Sequence, residues 1–329
     1  MKYIELFAGV GGFRLGIERA FGNQGGRTEP TQEWEHEQND VYAQGEQPEP
    51  LCVFANEWDK YAAQTYNKNF GGQIDTRDIT TISTDEIPNH DLLVGGFPCQ
   101  AFSVAGKRAG FNDTRGTMFF EIARILADKK PQHLLLENVK GLLSHDSGRT
   151  FQTILKVLTD LGYGVEWQVL NSKDFGVPQN RERVFIVGHL GGISGRKVFP
   201  IFGKGGNDTR VVGKEVARTI EANYYKGVSP NGHQGSGRQI VQVNQPTHSN
   251  DRVYSDEGIS PTLNTMQGGA RQPFVATPRI RRLTPIECER LQGFPDGWTA
   301  GVSDTQRYKQ MGNAVTVNVI EAIVGRVYG

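Results

Sequence analysis

The stretch that decides the fold lies at residues 91–103, which read DLLVGGFPCQAFS. Leu92 to Val94 form a short apolar run bounded by an aspartate and two glycines, which is typical of a buried strand leaving a sheet into a loop. Pro98 fixes its own φ at about −65° and restricts the residue before it, so Cys99 follows a stiffened backbone. An open α/β sheet places its chemistry at the carboxyl ends of strands, so Cys99 is either a nucleophile or a small buried hydrophobe.

The length and charge of the chain set broad limits. A chain of 329 residues is long enough for one large domain or two, with a sizeable core. Its 36 Lys and Arg equal its 36 Asp and Glu, but basic residues outnumber acidic ones between Gly191 and Arg290. That local excess fits either a face for nucleic acid or a merely solvated basic face.

Cysteine usage and hydropathy exclude several classes of protein. The 3 cysteines are widely spaced and predict neither a disulfide framework nor a zinc site, and we expect no metal. Glu5 and Arg14 interrupt the apolar N-terminal stretch, which argues against a signal peptide. Since no apolar run is long enough for a membrane helix, we expect a soluble, intracellular protein.

The N-terminal segment has the pattern of a nucleotide-binding turn. Lys2 to Phe7 predict a short strand, and the glycines that follow, Gly9, Gly11 and Gly12, precede an amphipathic helix. Glycines let a backbone approach a ligand closely, although an ordinary tight turn between a strand and a helix would look the same. The Gly-Val-Gly-Gly spacing differs from the dinucleotide fingerprint and favours a smaller adenosyl ligand.

A second strand ends in an acid. Residues 24–50 are polar and predict an exposed inserted loop, and Cys52 to Trp58 then read as a strand. An acid at this place in such a sheet accepts hydrogen bonds from ribose hydroxyls, which predicts that role for Glu57, with a plain surface glutamate as the alternative. We expect Trp58 to stack on an adenine and Asp78 to accept from its amino group.

Polar groups recur further along the chain. Val104 to Arg115 form a glycine-rich basic loop, which we interpret as a lid over an anionic substrate. His133 to Leu136 predict a buried strand that ends in Glu137, a carboxylate that is costly at that depth unless it is paired or used. Arg181 and Arg183 would point the same way from an extended chain, which suits anion or carbonyl binding or else a surface salt bridge.

With these motifs aligned in order, the chain resembles the DNA (cytosine-5)-methyltransferases, in particular the compact bacterial restriction–modification type. The resemblance covers nearly the whole chain and implies an α/β, Rossmann-like, S-adenosylmethionine-dependent fold: a mixed sheet with helices on both faces, plus a smaller, mostly β and loop, target-recognition domain. The implied catalytic domain spans residues 1–190 and 305–329, and the target-recognition domain and hinge span residues 191–304. The motifs that carry the resemblance are Phe7-Ala8-Gly9-x-Gly11-Gly12, Pro98-Cys99-Gln100, Glu137-Asn138-Val139, Gln179-x-Arg181-x-Arg183 and Gly312-Asn313-x-Val315.

The resemblance also implies residue roles in transfer of a methyl group from S-adenosylmethionine to C5 of a flipped-out cytosine. Cys99 would attack C6, Glu137 would donate a proton at the N3 edge, Arg183 would hold the ring carbonyl and Arg181 would support the site. The cofactor positions would be Phe7, Gly9, Gly11, Gly12, Glu57, Trp58, Asp78, Ile79, Pro98, Asn313 and Ala314. The DNA-contacting positions would be Gln100, Ser103, Lys107, Arg108, Arg115, Arg252, Thr262, Leu263 and Arg271.

The implied partner is double-stranded DNA, and we expect the enzyme to be a monomer located in the bacterial cytoplasm or nucleoid. We also expect a cognate restriction endonuclease that acts on the same DNA site. A tRNA cytosine-5 methyltransferase is the alternative with the same chemistry. Intact Cys99, Glu137 and Arg183 argue against a catalytically idle DNA-binding relative. The spacing of the glycine turn argues against a nicotinamide-dependent dehydrogenase.

Overall fold

A computed structural model describes residues 1–22, 49–98, 118–192, 197–203, 242, 252–255, 258–263, 273–276 and 280–329. The expectations for most of the 24–50 insertion, for the loop at 104–115 and for several site residues lie outside this part of the chain. Those residues are Cys99, Gln100, Ser103, Lys107, Arg108, Arg115 and Arg271.

The chain divides into two compact units. Unit 1 comprises Met1–Val169, Arg183–Ile201 and Val319–Gly329, and unit 2 comprises Leu170–Glu182 and Phe202–Asn318. This division assigns residues 170–182 and 305–318 to unit 2, whereas we expected them on the catalytic side. The functional division into catalytic and target-recognition domains stays a prediction.

Six of the described strands form one mixed sheet, in the order β2-β1-β3-β4-β7-β5. Strand β1 pairs in parallel with β2 and β3, β3 pairs in parallel with β4, and β4 pairs antiparallel with β7. This mixed α/β sheet confirms the predicted fold class. The strands are β1 Lys2–Leu6, β2 Leu51–Asn56, β3 Leu92–Gly96, β4 His133–Val139, β5 Tyr163–Asn171 and β7 Glu182–Leu190.

The strands at the centre of the sheet are apolar runs because both of their faces are buried. Leu93, Leu134, Leu136 and Ile186 are completely inaccessible and belong to one core cluster. Helices then supply apolar faces to the same cluster, which includes Phe119 of α3 and Ile154 of α4. The helices between these strands are α1 Gly12–Gly22, α2 Lys60–Phe70, α3 Met118–Lys129 and α4 Arg149–Asp160.

Unit 2 has short strands and helices in its described parts. Strand β6 pairs in parallel with β9, and a separate sheet has the order β11-β10-β8. Its elements are β6 Gln179–Asn180, β8 Val253–Ser255, β9 Ser260–Pro261, β10 Phe274–Ala276, β11 Ile280–Arg282, α5 Pro285–Leu291 and α6 Asp304–Asn313. Helix α7, Val317–Tyr328, closes the chain. Among the described helices, none is long and apolar enough to cross a membrane.

Candidate active site and cofactor-binding turn

The turn after β1 has an unusual backbone. Phe7, Gly9 and Gly11 have φ values of 54°, 56° and 84°. Positive φ is strained for a phenylalanine, and such strain concentrates at functional sites. A Cβ on Gly9 would meet no atom of the described residues within 4 Å, whereas a Cβ on Gly11 would overlap the ring of Phe70 in α2. Gly9 therefore leaves room beside the turn, and Gly11 lets α2 pack against it.

Glu57 joins this turn to the end of β2. Its side chain is buried, its Oε2 accepts a hydrogen bond from the Gly9 amide at 2.9 Å, and its Oε1 accepts from the Asp59 amide at 2.7 Å. A carboxylate oxygen can accept more than one hydrogen bond, which is the chemistry that the predicted bond from a ribose hydroxyl to Glu57 requires. The hydrogen bond from the Gly9 amide to Glu57 could not be predicted from the sequence, because the two residues are 48 positions apart.

Three further predicted cofactor residues follow in unit 1. Trp58 is 76% exposed, which leaves its ring open for stacking. Asp78 is exposed, and its Oδ1 accepts from the amide and the hydroxyl of Thr80 at 2.9 and 2.8 Å. These hydrogen bonds, of which the one from the Thr80 backbone amide has the larger effect, hold the pKa of Asp78 below its ordinary value. The carboxylate therefore remains a hydrogen-bond acceptor. The Ile79 side chain is buried in the core, so any ligand contact there falls to its backbone.

Glu137 lies at the carboxyl end of β4 and forms an ion pair with Arg183. The Nε atom of Arg183 lies 3.0 Å from Oε1 of Glu137, and the two side chains are 15% and 13% exposed. Gly96, its register partner on β3, is adjacent: a Cβ there would lie 3.2 Å from Oε2 of Glu137. The missing side chain at Gly96 thus leaves room for the Glu137 carboxylate, which solvent still reaches.

Asn138 fixes the chain that leads to Cys99. Its buried side chain donates from Nδ2 to the carbonyl of Phe97 at 2.8 Å, and its Oδ1 accepts from the Val139 amide at 2.8 Å. The Phe97 ring also packs on Phe119, with centroids 5.6 Å apart. Phe97 is therefore anchored to the end of β4, and only the exposed Pro98 separates it from Cys99 in the sequence. Sequence reasoning did not assign this role to Asn138.

Arg181 has different partners from Arg183, which pairs with Glu137. Arg181 is only 2% exposed, and its Nη2 donates to the carbonyls of Gly312 and Ala314 at 3.1 and 2.9 Å. Residues 179–180 pair with β9, whereas β7 begins at Glu182, so the two arginines do not belong to one continuous strand. In unit 2, Arg181 holds the backbone on both sides of Asn313. Its predicted support of the site would act through Asn313 and Ala314.

The dipeptide Thr262-Leu263 also has internal partners. The Thr262 hydroxyl donates to the Asn180 carbonyl at 2.7 Å, and the Leu263 amide donates to Oε1 of Gln179 at 3.2 Å. The Leu263 side chain is buried, in contrast to the direct DNA contact that we expected of it. These bonds anchor the dipeptide to β6. Arg252, which immediately precedes β8, is exposed, and its contact with DNA stays a prediction.

The two cysteines of the described chain lack the surroundings of a nucleophile. Burial raises the pKa of Cys52 to about 11 and that of Cys288 to about 12, so both are held as thiols at neutral pH. Within the described residues, no group of three or more His, Cys, Asp and Glu side chains could hold a metal ion.

Beneath the glycine turn lies a buried carboxyl that sequence reasoning missed. Glu5 on β1 is inaccessible, and the Tyr66 hydroxyl donates to its Oε2 at 3.2 Å. Burial raises the pKa of Glu5 to about 8, although the bond from Tyr66 opposes the shift. The guanidinium of Arg14 lies 4.3 Å from the centroid of the Phe70 ring. These contacts join β1, α1 and α2 below the turn.

Comparison with known proteins identifies relatives of the whole chain. The family model for C-5 cytosine-specific DNA methylase matches residues 1–329. Type II methyltransferase M.SsoII of Shigella sonnei is 42% identical over 99% of this chain and 79% of its own length. Type II methyltransferase M.NlaX of Neisseria lactamica is 42% identical over 98% of this chain and 94% of its own. Type II methyltransferase M.HhaI of Haemophilus parahaemolyticus is 34% identical over 98% and 93%.

Solved structures share the fold at lower identity. The Dnmt2 methyltransferase of S. pombe has a TM-score of 0.65 at 17% identity and covers 99% of this chain and 97% of its own. The Entamoeba histolytica methyltransferase EhMeth has a TM-score of 0.61 at 17% identity, with coverage of 100% and 98%. At this identity the likeness extends to the fold alone.

Proposed function

The chain belongs to the family of C-5 cytosine-specific DNA methylases, and from that membership we propose that it methylates cytosine at C5 within a specific short sequence of duplex DNA. The methyl donor is S-adenosylmethionine, whose sulfonium supplies an electrophilic methyl group. We assign the reaction to the end of the sheet where β3 and β4 finish. The observation that supports this assignment is the ion pair of Glu137 with Arg183, beside Gly96.

The reaction needs a nucleophile because C5 of cytosine is a poor nucleophile by itself. We assign that role to Cys99, whose thiolate would add to C6 and make C5 enamine-like. C5 would then form the new bond to the methyl carbon as the methyl–sulfur bond of the sulfonium breaks, and S-adenosylhomocysteine would leave as the product. Loss of the C5 proton to a base, such as water, would release the thiolate and restore the aromatic ring. The target base must leave the duplex to be reached, so we propose that it is flipped out.

Glu137 and Arg183 would hold the base during this addition. Negative charge builds in the ring as the thiolate adds, and a carboxyl at the N3 edge can neutralise it by donating a proton. Arg183 would bind the ring carbonyl and, through Nε, orient Glu137 at 3.0 Å. The partial exposure of both side chains supports this role, since a flipped base needs access to them.

The glycine turn and its neighbours have the chemistry that an adenosyl ligand requires. No other described residue lies within 4 Å of where a Cβ on Gly9 would be, and Glu57 has carboxylate oxygens of the kind that bind ribose hydroxyls. Trp58 offers an exposed ring, and Asp78 is an ionised acceptor. We propose these residues as cofactor contacts. The further proposed contacts are Phe7, Gly11, Gly12, Ile79, Pro98, Asn313 and Ala314.

For DNA, we propose that residues 191–304 contain the target-recognition surface and that the loop at 104–115 closes over the flipped base. The proposed DNA contacts are Gln100, Ser103, Lys107, Arg108, Arg115, Arg252, Thr262 and Arg271. We further propose a monomeric enzyme of the bacterial cytoplasm with a companion endonuclease. Sedimentation of the free protein and of its DNA complex tests the monomer.

The function is tested by incubating the protein with S-adenosylmethionine labelled in its methyl group and unmethylated duplex DNA, with tRNA in parallel. We expect label in DNA, and base-resolution mapping should place it at C5 of cytosines within one short sequence. Label in tRNA alone, or label in neither substrate, would contradict the proposal. The curated relatives, all Type II methyltransferases in the comparisons above, do not favour the tRNA alternative.

A further inference from the structure

We propose that Asn56, the last residue of β2, is a positioning residue for the adenosyl end of the cofactor site, because its side chain holds the segment that carries Asp78. This inference rests on the cofactor roles proposed above for Glu57 and Asp78. It concerns a residue to which neither the motifs nor the reaction assigns a role.

The side chain of Asn56 cross-links two parts of unit 1. It is only 2% exposed, and its Nδ2 donates to the carbonyls of Asp75 and Arg77 at 3.1 and 2.9 Å. Both amide hydrogens are thus used on a segment outside the central sheet. The second bond ends one residue before Asp78, so it fixes the main chain where that carboxylate begins.

The backbone around Asn56 adds further contacts. The Ala8 amide of the glycine turn donates to the Asn56 carbonyl at 3.0 Å, and the Glu57 amide donates to the Asp75 carbonyl at 3.0 Å. The Asp75 amide in turn donates to the Ala55 carbonyl at 3.0 Å. Three proposed cofactor segments therefore meet at Asn56: the glycine turn, Glu57 and the segment that carries Asp78.

Asp78 itself is held on its other side. Its carbonyl accepts from the Thr81 amide at 2.9 Å, and its Oδ1 accepts both bonds from Thr80. Among the described residues, no donor bonds its Oδ2. A fixed carboxylate oxygen with free lone pairs suits the exocyclic amino group of adenine, which donates hydrogen bonds. A carbonyl at the same ring position would not donate, so Asn56 should sharpen the preference for adenosyl over inosyl ligands.

The test is the affinity of the full chain for two probes, S-adenosylhomocysteine and S-inosylhomocysteine, measured by titration calorimetry. In Asn56→Ala, the released Asp78 segment should weaken binding of the adenosyl probe about tenfold, the effect of losing roughly one good hydrogen bond. The affinity for the inosyl probe should fall much less. The dissociation constant of the inosyl probe divided by that of the adenosyl probe should therefore fall toward one. Asp78→Ala should lower the ratio equally, and the double variant should add nothing.

Asn69→Ala is the matched control. The Asn69 Nδ2 also donates to a carbonyl, that of Thr65 at 2.8 Å, but within α2. We expect this variant to retain the wild-type ratio. If Asn56→Ala does not fold, Asn56→Ser, which keeps one donor, is measured instead and should give an intermediate ratio.

Several results would overturn the inference. A folded Asn56 variant that keeps the wild-type ratio, or weakens both probes equally, would make Asn56 a general structural residue. Wild-type protein that binds both probes equally would remove the contact of Asp78 with the amino group, and the inference with it. Wild-type protein that binds neither probe would instead overturn the proposed cofactor site itself, which is a distinct result.

Discussion

Two of the glutamate–arginine pairs, one taken from each unit of the molecule, differ in burial and surroundings. In unit 1, Glu137 and Arg183 lie at the ends of strands and are 13% and 15% exposed. In unit 2, Glu289 is completely inaccessible, and its Oε1 lies 3.1 Å from Nη2 of Arg307, which is 15% exposed. The same residue types therefore occur in an accessible site and in an enclosed one.

The enclosed carboxylate is bound by a set of internal donors. Glu289 accepts from the amides of Gly297 and Thr299 at 2.7 and 2.9 Å, from the Thr299 hydroxyl and from Arg307. These bonds hold the loop between α5 and α6 and offset the cost of burying a charge. The comparison teaches that pairing alone does not identify a reacting acid. Exposure and a neighbouring strand end that leaves space, as at Gly96, distinguish Glu137.

The largest effect that the comparison predicts is on the rate of the Glu137→Gln variant. The amide keeps the shape of the side chain but cannot donate an acidic proton, so the rate constant of methyl transfer should fall by about 10²–10⁴-fold. The measurement is methyl transfer in a single turnover at saturating DNA, with thermal unfolding in parallel. Unfolding should change little, since the side chain is partly solvated. An unchanged rate would remove Glu137 from the reaction.

The next largest effect is on the stability of the Glu289→Gln variant. The new amide group would face amide donors and remove the buried charge partner of Arg307, which would keep only the exposed Asp304 at 3.5 Å among its charge partners in the described residues. The free energy of unfolding should therefore fall by about 3 kcal/mol. Denaturant titration measures this change, and the rate per folded molecule at low temperature should match that of the wild type. A variant with wild-type stability but a much lower rate of methyl transfer would place Glu289 in the reacting site. That result would contradict the contrast between Glu137 and Glu289.

Glu5 provides a third carboxyl and a pH test. Because its pKa in the folded protein is about 8, above its ordinary value of 4.5, the stability that its proton contributes is present below about pH 4.5. That contribution is lost as the pH rises through about 8. The free energy of unfolding of wild-type protein should thus decline across this range relative to Glu5→Gln. Parallel curves for the two proteins would show that Glu5 does not titrate in this way.

The smallest effect belongs to an exposed pair on α4. The Nζ atom of Lys156 lies 2.8 Å from Oδ2 of Asp160, with side chains 73% and 48% exposed. Such pairs contribute little because solvent screens them. Lys156→Ala should leave both the rate and the midpoint of thermal unfolding unchanged within error. A clear loss in either measurement would show that exposure is a poor guide to the role of a charge pair in this protein.

The sequence predicted what depends on local patterns. The apolar runs before Gly95 and Glu137 are strands β3 and β4, and the glycine turn after β1 is present. The mixed α/β fold and the family were also predicted, because several short motifs occur in a fixed order. These features depend on neighbours in the chain, and a single sequence contains that information.

The sequence did not predict contacts between distant residues. The carboxyl of Glu5 accepts a hydrogen bond from Tyr66, which is 61 positions away in the sequence. Asn138 donates a hydrogen bond to Phe97, which is 41 positions away. The spacing rule for Arg181 and Arg183 assumes one continuous strand, whereas tertiary pairing splits the segment between β6 and β7. Such partners follow from topology, which residue spacing does not determine.

The central claim of a covalent reaction at Cys99 is tested most directly with duplex DNA that contains 5-fluorocytosine at the mapped target. Fluorine at C5 cannot leave as a proton does, so an adduct with the thiol would persist after methylation. In the presence of S-adenosylmethionine, we predict a covalent protein–DNA complex by intact mass spectrometry, and none with Cys99→Ala. An active wild-type enzyme that forms no complex, or a Cys99→Ala variant that forms one, would contradict the account.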